Sequence, residues 1–236
     1  MAFSHVIGTY KIGAAGGATT TGIDTTGADF IVIGVAWYDA VTATPTVSDS
    51  KGNTWTALTL SSMSLGDGSE RLYYCKNPTV GSGHTFSVSG TSIYSPIFVN
   101  CFSGGSAAEL DQQNTFDYTA GFTSVQPGSL TPAADDSLII TGIHIYSNSS
   151  AYGINGGFTA QVQPWSTPVT QGGGMAYLIQ TTATPVNPTW SWTTNSFAAL
   201  SMAVFRPSAA VSGGGPLMLS GNKRSNKFGK CGGRSA

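Results

Sequence analysis

Charge is scarce in this chain of 236 residues, where ten Lys and Arg and eleven Asp and Glu make up 9% of the total. Helices facing water draw on Ala, Leu, Glu, Lys, Gln and Arg, so this composition disfavours a helical bundle. Low charge alone would suit a disordered chain, but 11 Phe, 9 Tyr and 5 Trp spread through short runs supply apolar surface to offset ordering entropy. No apolar run approaches the ~18 residues that cross a bilayer; the longest is Phe30 to Trp37. Histidine and cysteine occur three times each, with no Cys-x-x-Cys pair and no Cys/His cluster, so no metal site and no cofactor is expected. The three cysteines cannot all pair within one chain. Cys75 and Cys101 sit in apolar runs, where a reduced thiol packs as a small hydrophobe. Met1 to His5 shows no basic segment leading into a long apolar stretch, so no cleavable leader is expected and the product is left in the cytoplasm that makes it unless another machinery exports it or a lysing cell releases it.

What is abundant is Gly, at 31 residues, set among short alternating runs. Period-two patterning bounded by Gly, Pro, Asn and Asp marks Val6 to Tyr10, Asp29 to Trp37, Thr54 to Leu60, Arg71 to Cys75, Thr85 to Ser89 and Ile97 to Phe102. It resumes at Leu138 to Tyr146, Phe158 to Val162, Ala176 to Gln180, Thr189 to Thr193 and Phe197 to Arg206, with Gly172 to Gly174 read as a loop. This rhythm predicts an all-β, antiparallel, jelly-roll-like β-sandwich.

The strand set repeats. Arg71-Leu-Tyr-Tyr-Cys75 aligns with Met175-Ala-Tyr-Leu-Ile179, and Thr85-Phe-Ser-Val-Ser89 with Thr189-Trp-Ser-Trp-Thr193, both 104 residues on. Asp29 to Gly34 likewise faces Asp136 to Thr141, and Trp55-Thr56 faces Phe158-Thr159. Two related strand sets packed face to face would close a common core, so residues 1–207 are read as one double-layer domain. Both alternate sets of Asp29 to Trp37 are apolar, which requires a cover on each face. A central strand within the chain and a homo-oligomer satisfy that equally well.

Residues 208–236 are a different material. All eleven acids and five of the bases fall in residues 1–207, giving −6, while Lys223, Arg224, Lys227, Lys230 and Arg234 give the remainder +5. This Gly-rich segment cannot form a core and is read as an arm that lies on a partner. Its apolar anchors are Leu217, Met218, Leu219 and Phe228, and its charged anchors the five bases. An acidic protein surface suits it better than specific nucleic acid, because the −6 body opposes phosphates.

Three patterns could carry chemistry. Asp49-Ser-Lys-Gly-Asn-Thr-Trp55 reads as a tight hairpin, with Asp49 accepting turn amides and Gly52 and Asn53 taking left-handed conformations. It lacks the further acids of a calcium loop. His5, His84 and His144 lie in no hydrolase motif and read as turn and strand residues, so no catalytic residue is assigned. Trp190 and Trp192 share an inward parity, which leaves Tyr146, Tyr152 and Trp165 as the candidate glycan-binding aromatics.

Taken together, Asp49-x-x-Gly-Asn-Thr-Trp55, Leu72 to Asn77, Thr85 to Ser89, Phe98 to Gly104, Leu130-Thr-Pro132 and Asp136 to Gly142 resemble β-sandwich domains recurrent in bacteriophage virion proteins and bacterial surface proteins. The resemblance implies a non-enzymatic structural role. With a basic arm and no leader, it points to a virion location, as head decoration or a fibre component bound to other virion proteins. A carbohydrate-binding adhesin is the alternative.

Overall fold

The computed structural model describes residues 2–13, 16–38, 44–63, 68–90, 94–146, 152–163 and 171–207, with only the backbone at Thr119, Tyr152, Val162 and Gln163. The alternating runs fold as strands, and all the strand pairs are antiparallel. In the first half these are β1 (Ser4–Lys11), β2 (Gly17–Thr19), β3 (Phe30–Trp37), β4 (Thr46–Asp49), β5 (Thr56–Ala57), β6 (Ser61–Ser62), β7 (Ser69–Lys76), β8 (Phe86–Ser89) and β9 (Ile97–Ser103). The second half contributes β10 (Glu109–Val125), β11 (Ser137–Ile145), β12 (Tyr152–Ile154), β13 (Thr159–Gln163), β14 (Gly172–Gln180) and β15 (Trp190–Arg206).

Strand order shows the repeat directly. One large sheet runs β1-β9-β3-β7-β5, with β6 also on β7, and the other runs β10-β15-β11-β14-β13, with β12 also on β15. A small sheet, β2-β8-β4, covers the outer face of the first. Its counterpart in the second half is made by the end of β10 and the start of β15, paired at Val125 and Trp190, with β12 alongside. The long β10 and β15 therefore bend through both layers where the first half uses separate strands.

Three apolar seams hold the stack. In the middle, Phe30, Val32, Leu72, Phe98 and Phe102 of the first large sheet meet Leu138, Ile140, Met175, Ala203 and Phe205 of the second. Outside it, Ile31, Ile33, Val35, Trp37 and Val99 meet Phe86 and Val88 of the small sheet. On the opposite flank, Ile143, Ile145, Trp190, Trp192 and Leu200 close the second sandwich. The stack thus holds more layers than the two expected, because each half seals a core of its own before sharing the middle one. Both faces of β3 are covered within the chain, so its double apolar pattern requires no second copy.

Other sequence expectations are corrected by tertiary context. Gly172, Gly173 and Gly174 are strand residues paired with Ile145, His144 and Ile143. Gly173 faces the other large sheet where the two close in, and a Cβ on it would lie 3.0 Å from the Ala36 methyl. The runs Thr189 to Thr193 and Phe197 to Arg206 belong to one strand. Thr54 to Leu60 contributes only Thr56–Ala57 to a sheet. Cys75 and Cys101 are buried and unbridged as expected, and burial pushes the Cys101 thiol up to about 12.

Candidate functional site

The Asp49 motif is a corner between sheets rather than a hairpin, since β4 pairs with β8 while β5 pairs with β7. Gly52 adopts a φ of 73° as expected, whereas Asn53 has no positive φ. Asn53 instead bridges to the loop after β7, accepting from the Thr79 amide at 2.6 Å and donating to its carbonyl at 3.1 Å. The Asp49 carboxylate gathers the corner, accepting from the Lys51 amide at 2.8 Å, Asn53 Nδ2 at 3.1 Å and Trp55 Nε1 at 2.9 Å.

His84 completes this hub. Its Nε2 lies 3.0 Å from Asp49 Oδ1 and its Nδ1 2.9 Å from the Thr25 hydroxyl, with its ring stacked on Phe86. With Nε2–H donating to Asp49, a neutral ring leaves Nδ1 to accept from Thr25. Hydroxyl, imidazole and carboxylate in a row have the residue types of a hydrolytic triad. The His84 and Asp49 side chains are 0% exposed, however, and the Thr25 hydroxyl also accepts from the Gly81 amide. A substrate has no approach to this row, and its chemistry is mechanical: it ties three loops under the small sheet.

A second polar group lies in the middle seam. Glu70 on β7 and His144 on β11 face each other's sheets beyond the apolar end, and both are buried. Glycines make the room, since a Cβ on Gly142 would collide with the Glu70 carboxyl and one on Gly68 with the His144 ring. Ser201 is the polar neighbour of Glu70 and Gln171 that of His144. Neither is aligned well enough for a hydrogen bond, and both carboxyl oxygens and both ring nitrogens lack a partner of good geometry. Desolvation raises Glu70 to about 8 and lowers His144 to about 3, so both are predominantly neutral near pH 7. Tyr94 stacks on the imidazole at 6.1 Å.

An accessible cluster of aromatic rings lies on β10, an edge strand of the second large sheet. Phe116 and Phe122 are 45% and 40% exposed. Tyr118 stands between them, its ring 4.4 Å from that of Phe116 and 5.1 Å from that of Phe122. Its hydroxyl donates to the Gln126 carbonyl at 3.0 Å and accepts from the Gln126 amide at 3.1 Å, which fixes the ring. No sequence run had marked this strand, although Phe116-x-Tyr118 carries the two-residue spacing that places both rings on one face.

None of the aromatics chosen from the sequence belongs to β10. Tyr146 is half-buried with its ring 6.0 Å from Tyr38, and its amide donates to the Phe197 carbonyl at 3.1 Å. Tyr152 pairs with Trp192 through its backbone in β12. Trp165 and the arm residues Leu217, Met218, Leu219, Lys223, Arg224, Lys227, Phe228, Lys230 and Arg234 lie outside the described residues. Among the described residues no group of three or more His, Cys, Asp or Glu converges as metal ligands would. No family model, curated protein or solved structure matches the chain.

Proposed function

We propose that this chain is a non-enzymatic structural protein of a bacteriophage virion, decorating the head or forming part of a fibre, and attached to neighbouring virion proteins through residues 208–236. The observation that carries this reading is the division of labour along the chain. Residues 1–207, at −6, supply a double sandwich whose cores are sealed within the chain, and residues 208–236, at +5, have no apolar pattern to fold on. The burial of His84 and His144 supports a body used for shape and contact, because each imidazole is engaged or enclosed where no substrate reaches it.

Deleting residues 208–236 tests the attachment. The shortened chain is expected to melt within about 1 °C of the full chain, since the core residues named above all lie in residues 1–207. Its incorporation into purified particles, measured by quantitative immunoblotting, is expected to fall at least about tenfold. Undiminished incorporation would defeat the assignment.

A second reading, a carbohydrate-binding adhesin or receptor-binding module, is favoured by Phe116, Tyr118 and Phe122. Exposed rings held by packing and hydrogen bonds are costly to leave in water without a use, and they suit the apolar faces of sugars. The readings are compatible in a virion protein that touches a host surface.

A further inference from the structure

The two halves differ most where the first builds its hub. Ser50 and Thr85 exchange hydrogen bonds in the first half, and Asn155 and Thr189 repeat the exchange in the second, which fixes the correspondence. The bridge between Ile23 and His84 likewise recurs between Leu130 and Val186. His84 is followed directly by Thr85, but Val186 is separated from Thr189 by Asn187 and Pro188. The loop from Ser50 to Trp55 shortens by two residues to Asn155-Gly-Gly-Phe158. The second half thus has no equivalent of the Asp49 and His84 side chains, and two open depressions flank the Asn187–Thr189 segment.

One depression, of about 430 Å³, is bounded by Tyr118, Phe122, Gln126 and Thr189. The other, of about 360 Å³, lies between Asn155, Leu178, Gln180 and the loop 184–188. The wall between them is braced by Gln126 Nε2, which donates to the Asn187 carbonyl at 3.3 Å and Thr189 Oγ1 at 3.0 Å. No Asp, Glu, Lys or Arg lines either one.

We propose that these paired depressions are a binding site for a neutral oligosaccharide. One sugar ring stacks on Phe122 beside Tyr118, and the hydroxyls of the next meet the amides of Gln126, Asn187 and Asn155. The occupant follows from the lining. Aromatic faces with uncharged amide donors and acceptors complement a polyhydroxylated ligand, whereas a phosphate or an acidic glycan would be desolvated with no cation opposite it. The proposal rests on the carbohydrate-binding reading and gives it a place and a ligand class.

The test uses the full chain on an array of neutral hexose and N-acetylhexosamine oligosaccharides printed beside sialylated and sulfated ones. Phe122→Ala and Asn187→Ala are measured in parallel, both residues being exposed and each variant checked by its melting temperature. Tyr146→Ala and Trp165→Ala serve as comparison. The expected result is binding to neutral glycans only, weakened at least about tenfold by Phe122→Ala and by Asn187→Ala and unchanged by the other two. Binding that survives the first pair, or is lost with the second, would remove this site and leave carbohydrate binding intact. Binding confined to acidic glycans would overturn the ligand class. Silence across the array would overturn both, and loss of particle incorporation in Phe122→Ala would then mark the rings as a protein contact.

Discussion

Asp49→Ala is expected to lower stability by about 3–5 kcal/mol, because it leaves two buried N–H donors unsatisfied at about 1–3 kcal/mol each. The carboxylate is wholly enclosed, and its loss strands Trp55 Nε1 and His84 Nε2 with no replacement acceptor. At roughly 2–4 °C per kcal/mol for a domain of this size, the melting temperature should fall by about 10 °C. Asp49→Asn retains one acceptor oxygen and should lose about half as much, while Trp55→Phe, which deletes a single donor, should lose about 1–2 kcal/mol. Urea melts of the three variants measure the series. A loss below about 1 kcal/mol for Asp49→Ala would mean that the corner is held by its backbone alone.

The second large effect is on the pH dependence of stability. Folded Glu70 keeps its proton up to about pH 8, while its ordinary value is 4.5, so the unfolded chain binds fewer protons between those limits and stability falls as pH rises. His144 is protonated only near pH 3 when folded and near 6.5 otherwise, so the unfolded chain binds more protons there and stability falls as pH drops. The slopes cancel between pH 4.5 and 6.5, giving a plateau. Above it Glu70 acts, costing about 2 kcal/mol by pH 8, and below it His144 acts, costing about 2 kcal/mol by pH 3, in the same direction as exposed Asp24, whose carboxyl the Thr26 hydrogen bonds hold below its ordinary value. Glu70→Gln should abolish the alkaline limb and leave the acid limb in place. Calorimetric melting temperatures at half-unit pH steps provide the profile. A wild-type curve flat from pH 6.5 to 8, or an alkaline limb that survives in Glu70→Gln, would show that the carboxyl reaches water.

The two outcomes depend on residues of unequal legibility. Phe30 to Trp37 and Leu138 to Tyr146 declare themselves as strands covered on both faces, without saying whether the cover comes from this chain or a second copy, and the 104-residue offset exposes the repeat. Glu109–Val125 does not declare itself. As an edge strand it carries Gln112, Asn114 and Thr115 on partly wet faces, so alternation fades, and the aromatic rings at its far end went unmarked with it. The Asp49 turn is readable as a turn, but local chemistry cannot say that its flanks join different sheets, nor that His84 comes 35 residues along the chain to meet it. Glu70 falls just outside the alternating run Arg71 to Cys75, and nothing local marks it. Its burial is set by Gly142 and Ser201, more than 70 positions away, which only the packing of the two large sheets brings near.

Copy number in purified particles tests the functional account most directly. The proposed virion role predicts that quantitative mass spectrometry of washed phage particles, prepared from a lysate in which this chain is produced, finds it at a fixed number of copies per particle, hundreds for a head component and a handful for a fibre. Its absence from washed particles, with the chain recovered only from the surrounding lysate, would contradict the account.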